Sequence, residues 1–137
     1  MTDLIFFDTD CISAFLWINN ESLLLKLYPD RIVIPKPVYM ELNHPNIKHL
    51  KTRIDKMIST GNVIIKEILV GSEEYETYYQ LTEKPKNNHR IIGKGEASSI
   101  SLALKYDGIV ASNNLSDINV YINEFSLKHV TTGDILV

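Results

Sequence analysis

Short apolar runs alternate with amphipathic stretches along most of the chain. The runs at 4–7, 32–34, 63–65, 109–111 and 129–130 have the length and composition of buried strands. Between them, the periodicity of apolar residues predicts helices over 11–18, 21–28, 47–59, 95–105 and 115–124, with two more beginning at Pro37 and near Ser72. Strands that alternate with helices in this way predict parallel βαβ units, with helices on both faces of one sheet.

Polar residues mark the ends of several of these helices. Ser72 precedes three glutamates and is the expected N-cap of its helix, and Gly61 closes the helix before the third strand. We expect Asp10 to be the N-cap of the first helix. Residues 84–90 are polar and include Pro85, so they are predicted to form a loop.

Acidic and amide residues follow the predicted strands. In an open parallel sheet these positions meet at one edge, where ligands bind. Several carboxylates stay ionised side by side only when a cation compensates them, so the pattern predicts a divalent metal, Mg²⁺ or Mn²⁺, which in turn recruits a phosphate. Taken singly, the helical acids are also explained as ordinary surface or first-turn residues. We call this edge of the sheet the rim. The residues predicted to lie there are Asp8, Asp10, Glu41, Glu96, Asn113, Asn114 and Asp117.

Three segments together resemble the PIN domain family. They are Asp8-Thr9 after an apolar strand, Val38-x-x-Glu41, and residues 93–103, which begin Gly-Lys-Gly-Glu-Ala. Each motif alone is weak, but their order and spacing bring each acid to the same rim. The resemblance covers residues 4–133 and is closest to the toxin-type (VapC-like) ribonucleases of bacteria and archaea.

The resemblance implies both a fold and an activity. The fold is a three-layer α/β/α sandwich with a five-stranded parallel sheet in the order 3-2-1-4-5, as a single domain over residues 1–137 whose final helix has barely begun where the sequence ends. The activity is metal-dependent cleavage of single-stranded or loop RNA, with Mg²⁺ or Mn²⁺ as cofactor, by the toxin of a toxin–antitoxin pair. Asp8, Glu41 and Glu96 become catalytic residues, with Asp8 and Glu96 as metal ligands.

The sequence departs from the family at the fourth acidic position. Where the family usually has a carboxylate after strand four, this chain has Ser112-Asn113-Asn114, and Asp117 follows one helical turn later. An asparagine offers a metal a neutral oxygen but no charge. We favour Asn113 over Asn114 as the position of the missing acid and as a weak metal ligand. There are two alternatives. Either Asp117 is the fourth catalytic acid and metal ligand, or the protein has lost catalysis.

Charge and composition limit the partners. Fourteen basic residues against seventeen acidic ones give a net charge of −3, so contacts with RNA must come from local clusters. One such cluster lies between Glu83 and Glu96. The residues expected to bind substrate are Arg90, Lys94, Ser112 and Asn114.

Other features concern location and assembly. The absence of an apolar run of about 20 residues excludes a membrane span, and the acidic N-terminus does not resemble a signal peptide, so we expect a cytoplasmic protein. The single cysteine excludes an internal disulfide. The helices that carry Phe15, Leu16, Trp17 and residues 23–25 are rich in apolar side chains, which predicts an interface for a homodimer or for an antitoxin helix.

Two other functions fit parts of the pattern. A PIN-fold module that has lost catalysis and binds RNA or a protein is the main alternative. A signalling receiver domain also begins with acids after its first strand, but it needs a lysine after its last strand. Here Lys128 precedes that strand, which disfavours a receiver domain.

Overall fold

One parallel sheet of five strands organises the molecule. The computed structural model describes residues 3–18, 20–84 and 91–136. Its strands lie in the order β3-β2-β1-β4-β5, all parallel, which confirms the predicted fold class and strand order. The strands are β1 (Ile5–Phe7), β2 (Ile32–Pro35), β3 (Val63–Lys66), β4 (Ile109–Ala111) and β5 (Lys128–Val130).

Helices connect the strands and lie on both faces of the sheet. Their positions agree with the predicted ones to within about two residues. The described helices are α1 (Thr9–Trp17), α2 (Glu21–Leu27), α3 (Lys36–Glu41), α4 (Lys48–Ser59), α5 (Glu73–Thr82), α6 (Lys94–Tyr106), α7 (Leu115–Glu124) and α8 (Thr132–Leu136), with a 3₁₀ turn at Pro45–Ile47.

Alternate residues of the central strand point into two separate cores. Ile5 and Phe7 pack with residues of α1, α2 and α4, whereas Phe6 packs with residues of α6 and α7. All three side chains are buried, as expected for a central parallel strand covered on both faces. This arrangement is the three-layer α/β/α sandwich that the sequence predicts.

The order of the strands places a ligand-binding edge between β1 and β4. The chain passes from β1 to β2 on one side and later from β4 to β5 on the other, so the strand order reverses between β1 and β4. Side chains just after these two strands, Asp8 and Ser112, therefore lie at the position where open α/β sheets bind ligands.

The C-terminal residues form a short helix against the first core. Ile135 is buried there, whereas Leu136 stays 44% exposed, so α8 docks through Ile135. No helix within the described ranges has both the length and the apolar character needed to cross a bilayer.

Candidate active site

A small depression at the carboxyl edge of the sheet brings together the predicted acids. Its volume is about 100 Å³, and it lies where the ends of β1 and α3 meet the start of α6 and the loop after β4. Four carboxylates, from three distant parts of the sequence, therefore share one concave surface. The lining residues are Asp8, Thr9, Asp10, Glu41, Gly93, Gly95, Glu96 and Asn114.

Asp8 is the most buried acid of this depression, with 2% of its surface exposed. Its Oδ1 accepts a hydrogen bond from the Asp10 N–H at 2.9 Å, and its Oδ2 accepts one from the Ser112 hydroxyl at 2.6 Å. Burial raises the pKa of Asp8 to about 6, although both hydrogen bonds oppose the shift; the charges of Asp10 and Glu41 add to it.

The N-cap of α1 is also Asp8, which corrects the expectation for Asp10. Asp8 has the extended backbone of an N-cap, and its side chain accepts from the second residue of the helix. Asp10 lies within the first turn and is exposed. By contrast, Ser72 caps α5 as predicted, because its hydroxyl accepts a hydrogen bond from the Tyr75 N–H at 3.1 Å.

Glu96 contributes a carboxylate from the first turn of α6. Its Oε1 accepts from the Gly93 N–H at 3.1 Å, while its Oε2 is buried and has no hydrogen-bond partner among the described residues. Burial raises the pKa of Glu96 to about 7. The charges of Asp8 and Asp117 also raise the pKa of Glu96, whereas the Gly93 N–H and the Asn114 amide lower it. A buried carboxylate oxygen without a donor calls for a proton or a cation.

Glu41 is an exposed acid of the depression. It ends α3, and its Oε1 accepts a hydrogen bond from the Thr9 hydroxyl at 2.8 Å. Gly95 packs against this pair: a Cβ at Gly95 would lie 2.5 Å from Glu41 Oε1 and 2.7 Å from Thr9 Oγ1. Sequence reasoning missed Thr9 and Gly95 as site residues, although both belong to the motifs that carry the family resemblance.

The loop after β4 turns its two asparagines in different directions. Asn114 lines the depression, and its Nδ2 donates to Asp117 Oδ2 at 2.7 Å. Asn113 is exposed, and both polar atoms of its side chain are hydrogen-bonded to Thr132. Its Nδ2 donates to Thr132 Oγ1 and its Oδ1 accepts from the Thr132 N–H, both at 2.7 Å. The geometry therefore brings Asn114 to the depression, and not Asn113, which we preferred from the sequence.

The remaining predicted residues lie around or below the depression. Asp117 does not line it, but its charge acts on Glu96. Ser112 is fully buried beneath Asp8, so in this conformation it supports the carboxylate and is not exposed to a substrate, contrary to our expectation. Lys94 begins α6 and is exposed. Arg90 lies outside the described residues.

The donors suit a hard divalent cation, although they are not drawn together around one. Among the described parts of the chain, no three His, Cys, Asp or Glu side chains are arranged as a ready metal cluster. The available donors are nevertheless carboxylate and amide oxygens, the ligands that Mg²⁺ and Mn²⁺ prefer. The buried Glu96 Oε2 that lacks a hydrogen-bond donor, close to the charge of Asp8, fits such an ion.

Comparison with protein-family models finds a match over most of the chain. The family model described as PIN domain matches residues 4–113. No curated protein sequence matches the chain.

Three solved structures share its fold. VapBC-1 from nontypeable Haemophilus influenzae has a TM-score of 0.65 and 16% identity, over 95% of this chain and 98% of that one. VapBC2 from Rickettsia felis bound to a DNA fragment from their promoter has a TM-score of 0.64 and 18% identity, over 93% and 98%. A toxin–antitoxin complex from Klebsiella pneumoniae has a TM-score of 0.62 and 18% identity, over 93% and 97%.

Proposed function

The chain belongs to the PIN domain family, and from this premise we propose that it is a metal-dependent endoribonuclease, the toxin of a toxin–antitoxin pair. One observation carries the proposal. Asp8, Glu41 and Glu96 converge on a single depression at the strand-order reversal, and the buried Oε2 of Glu96 has no hydrogen-bond partner among the described residues. Such a cluster of carboxylates is suited to hold a cation beside a phosphate.

Each acid has a distinct place in this proposal. Asp8 and Glu96 would hold Mg²⁺ or Mn²⁺, which when bound lowers the pKa of a water and offsets charge on the phosphodiester. Glu41 Oε1, held by the Thr9 hydroxyl, lies on the exposed side of the depression, where it can accept a proton from the attacking water. Asp117 adds negative charge behind Glu96 and orients the Asn114 amide.

The proposed substrate is single-stranded or loop RNA. Lys94 is exposed at the start of α6, two residues before Glu96, where its ammonium group can meet a phosphate. Asn114 lines the depression and offers an amide to the same substrate. Arg90, four residues before Lys94 in the sequence, is proposed as a second basic contact to the RNA.

A protein partner is proposed on the face formed by α1, α2 and α4. The side chains of Phe15, Leu16 and Leu24 are buried in the core, but Trp17 is 57% exposed. A groove of about 540 Å³ lies between α2 and α4 and is lined by Leu25 and Met57 among polar residues. We propose that an antitoxin segment or a second copy of the chain covers this face. Sedimentation of the wild type and Trp17→Ser at matched concentrations tests the homodimer.

The alternative function, a PIN module that binds RNA or protein without cleaving, is favoured by one specific observation. The neutral Asn114 lines the depression where a carboxylate after β4 would add negative charge. Metal titration by calorimetry together with RNA cleavage separates the two functions. Tight binding of Mg²⁺ or Mn²⁺ with turnover supports the nuclease, whereas RNA binding without metal binding at millimolar concentrations supports the module.

The decisive experiment is a cleavage assay with a matched variant. A labelled single-stranded RNA, a duplex RNA and a single-stranded DNA are each incubated with the protein in Mn²⁺, in Mg²⁺ or in EDTA. We expect cleavage of the single-stranded RNA that requires metal and is lost in Asp8→Asn. Equal cleavage by Asp8→Asn, or equal cleavage in EDTA, contradicts the proposed site.

A further inference from the structure

A reciprocal pair of hydrogen bonds ties the loop after β4 to the C-terminal helix. Asn113 Nδ2 donates to Thr132 Oγ1, and the Thr132 N–H donates to Asn113 Oδ1, both at 2.7 Å. The Thr132 hydroxyl also donates to the buried Cys11 Sγ in α1, at 3.4 Å. We refer to the pair Asn113 and Thr132 as the clip. It joins three elements that are far apart in the sequence.

The clip lies one residue along the backbone from Ser112, whose hydroxyl is hydrogen-bonded to Asp8. Next to Asn113, the backbone of Ser112 is held by β5: its N–H donates to Val130 O at 3.0 Å, and its carbonyl oxygen lies 2.9 Å from His129 Nε2. The Ser112 hydroxyl donates to Asp8 Oδ2 at 2.6 Å and accepts from the Asn114 N–H at 3.2 Å. Asn113 thus sits between the residue that holds Asp8 and the residue that lines the depression.

From this continuity we infer that Asn113 and Thr132 are positioning residues, which fix the Ser112–Asn114 loop and thereby the Asp8 carboxylate and the Asn114 amide. The inference rests on the proposed nuclease function. Neither residue of the clip lines the depression, so neither touches the reacting atoms. Their effect is transmitted through the Ser112 hydroxyl and the backbone of the loop.

The docking of α8 alone does not account for the clip. The helix has its own terminal bonds, because the Thr131 hydroxyl accepts from the Asp134 N–H at 3.1 Å and Asp134 Oδ2 accepts from the Thr131 N–H at 2.9 Å. It also buries Ile135 in the first core. The additional bonds from Thr132 reach out of the helix to the loop that carries Ser112 and Asn114.

Two adjacent threonines provide the matched test. Thr132→Val and Asn113→Ala break the clip, Thr132→Ser keeps the hydroxyl, and Thr131→Val weakens only the start of α8. Because Asn113 is exposed, Asn113→Ala opens no cavity. This variant therefore tests the clip even if Thr132→Val folds poorly. The readouts are kcat and KM for RNA cleavage, the melting temperature in EDTA, and the rise in melting temperature that Mn²⁺ causes.

We expect both clip-breaking variants to lower kcat by roughly tenfold to a hundredfold with KM within about twofold, as for misplaced catalytic groups. The Mn²⁺-induced rise should shrink to less than about half of the wild-type rise, because the metal-binding conformation is less populated. Thr132→Ser should restore both. Thr131→Val should lower the melting temperature in EDTA but leave kcat and the Mn²⁺ effect at wild-type values.

The outcomes separate this inference from the proposed function. Suppose first that the wild type cleaves RNA and responds to Mn²⁺. The nuclease function then stands, and the positioning role is overturned if the clip-breaking variants behave like the wild type, or if Thr131→Val loses as much activity as they do. If the wild type neither cleaves RNA nor responds to Mn²⁺, the nuclease function fails and the positioning role fails with it.

Discussion

The Ser112 hydroxyl donates a 2.6 Å hydrogen bond to Asp8 Oδ2, joining the ends of two neighbouring strands across 104 residues of sequence. Both residues are buried, and Asp8 uses its other oxygen to cap α1. One carboxylate therefore starts a helix, bridges two strands and faces the depression. Its placement is fixed from two sides, which is the condition for a preorganised ligand or catalytic group.

Asp8→Asn should abolish cleavage and stabilise the metal-free protein. Asparagine is also a good N-cap and can stay hydrogen-bonded to Ser112, so the fold is kept while the cost of burying a charge is removed. We expect the melting temperature at pH 8 in EDTA to rise by about 3–10 °C. The exposed Asp10→Asn, measured alongside, should shift it much less. A lower melting temperature for Asp8→Asn would mean that its charge stabilises the fold.

The stability of the metal-free protein should fall as the pH rises from about 4 to 7. The folded-state pKa of Asp8 is raised from 3.8 to about 6 and that of Glu96 from 4.5 to about 7, in both cases mainly by burial. The unfolded chain therefore releases these protons first, and the folded state is favoured most below pH 4 and loses that advantage as the pH reaches 6 to 7. For the buried Asp8 this amounts to at most about 3 kcal/mol.

Urea unfolding at intervals between pH 4 and 8 in EDTA measures this slope. Asp8→Asn and Glu96→Gln should each flatten it, and the double variant should flatten it most. Saturating Mn²⁺ should reverse the slope, because the metal binds the ionised carboxylates. A wild-type slope that matches the double variant would show that neither acid has a raised pKa in the folded protein.

The sequence was a good guide to the fold and a partial guide to the site. The parallel sheet and the helices on both of its faces follow from apolar runs that alternate with amphipathic helices, a pattern set by burial on both faces of the sheet. The strand order, by contrast, came from the resemblance to the PIN domain family. The choice between Asn113 and Asn114 does not follow from such a pattern. It depends on Thr132, 19 residues away, whose hydrogen bonds turn Asn113 from the depression. Likewise, only the three-dimensional packing reveals that a side chain at Gly95 would displace the end of Glu41.

Gly95→Ala should lower activity more than stability. The added methyl group would lie 2.5 Å from Glu41 Oε1, so the exposed end of Glu41 must move and its bond with Thr9 is strained or lost. Alanine also favours the helix by about 1 kcal/mol, which offsets part of the strain. We expect kcat to fall by about tenfold or more with a small change in melting temperature.

Gly133→Ala is the matched control for that prediction. Gly133 is also helical, and a Cβ there would meet its nearest neighbour, Thr131 Oγ1, at an ordinary 3.6 Å. It should keep wild-type activity and a melting temperature equal to or above the wild-type value. Full activity in Gly95→Ala would show that the position of Glu41 is not critical for cleavage.

Asn114→Asp should make stability depend more strongly on metal. Asn114 lines the depression with Asp8, Asp10, Glu41 and Glu96, so one more carboxylate there adds repulsion when no cation is present. It also replaces the amide that donates to Asp117 Oδ2 with an acceptor, which brings two carboxylates together. In EDTA we therefore expect a melting temperature below that of the wild type. With excess Mn²⁺ we expect a melting temperature above that of the wild type, because ligand charge raises affinity at oxygen sites.

Asn113→Asp is the matched control. It introduces the same charge one residue earlier, on the side chain that is turned to Thr132, and should show no larger Mn²⁺-induced rise in melting temperature than the wild type. Thermal melts of the three proteins with Mn²⁺ and with EDTA, beside the RNA cleavage assay, make the comparison. A larger Mn²⁺-induced rise in Asn113→Asp than in Asn114→Asp would place the missing fourth ligand at Asn113 after all. No gain in either variant would mean either that the fourth ligand is elsewhere, with Asp117 the next candidate, or that there is no metal site.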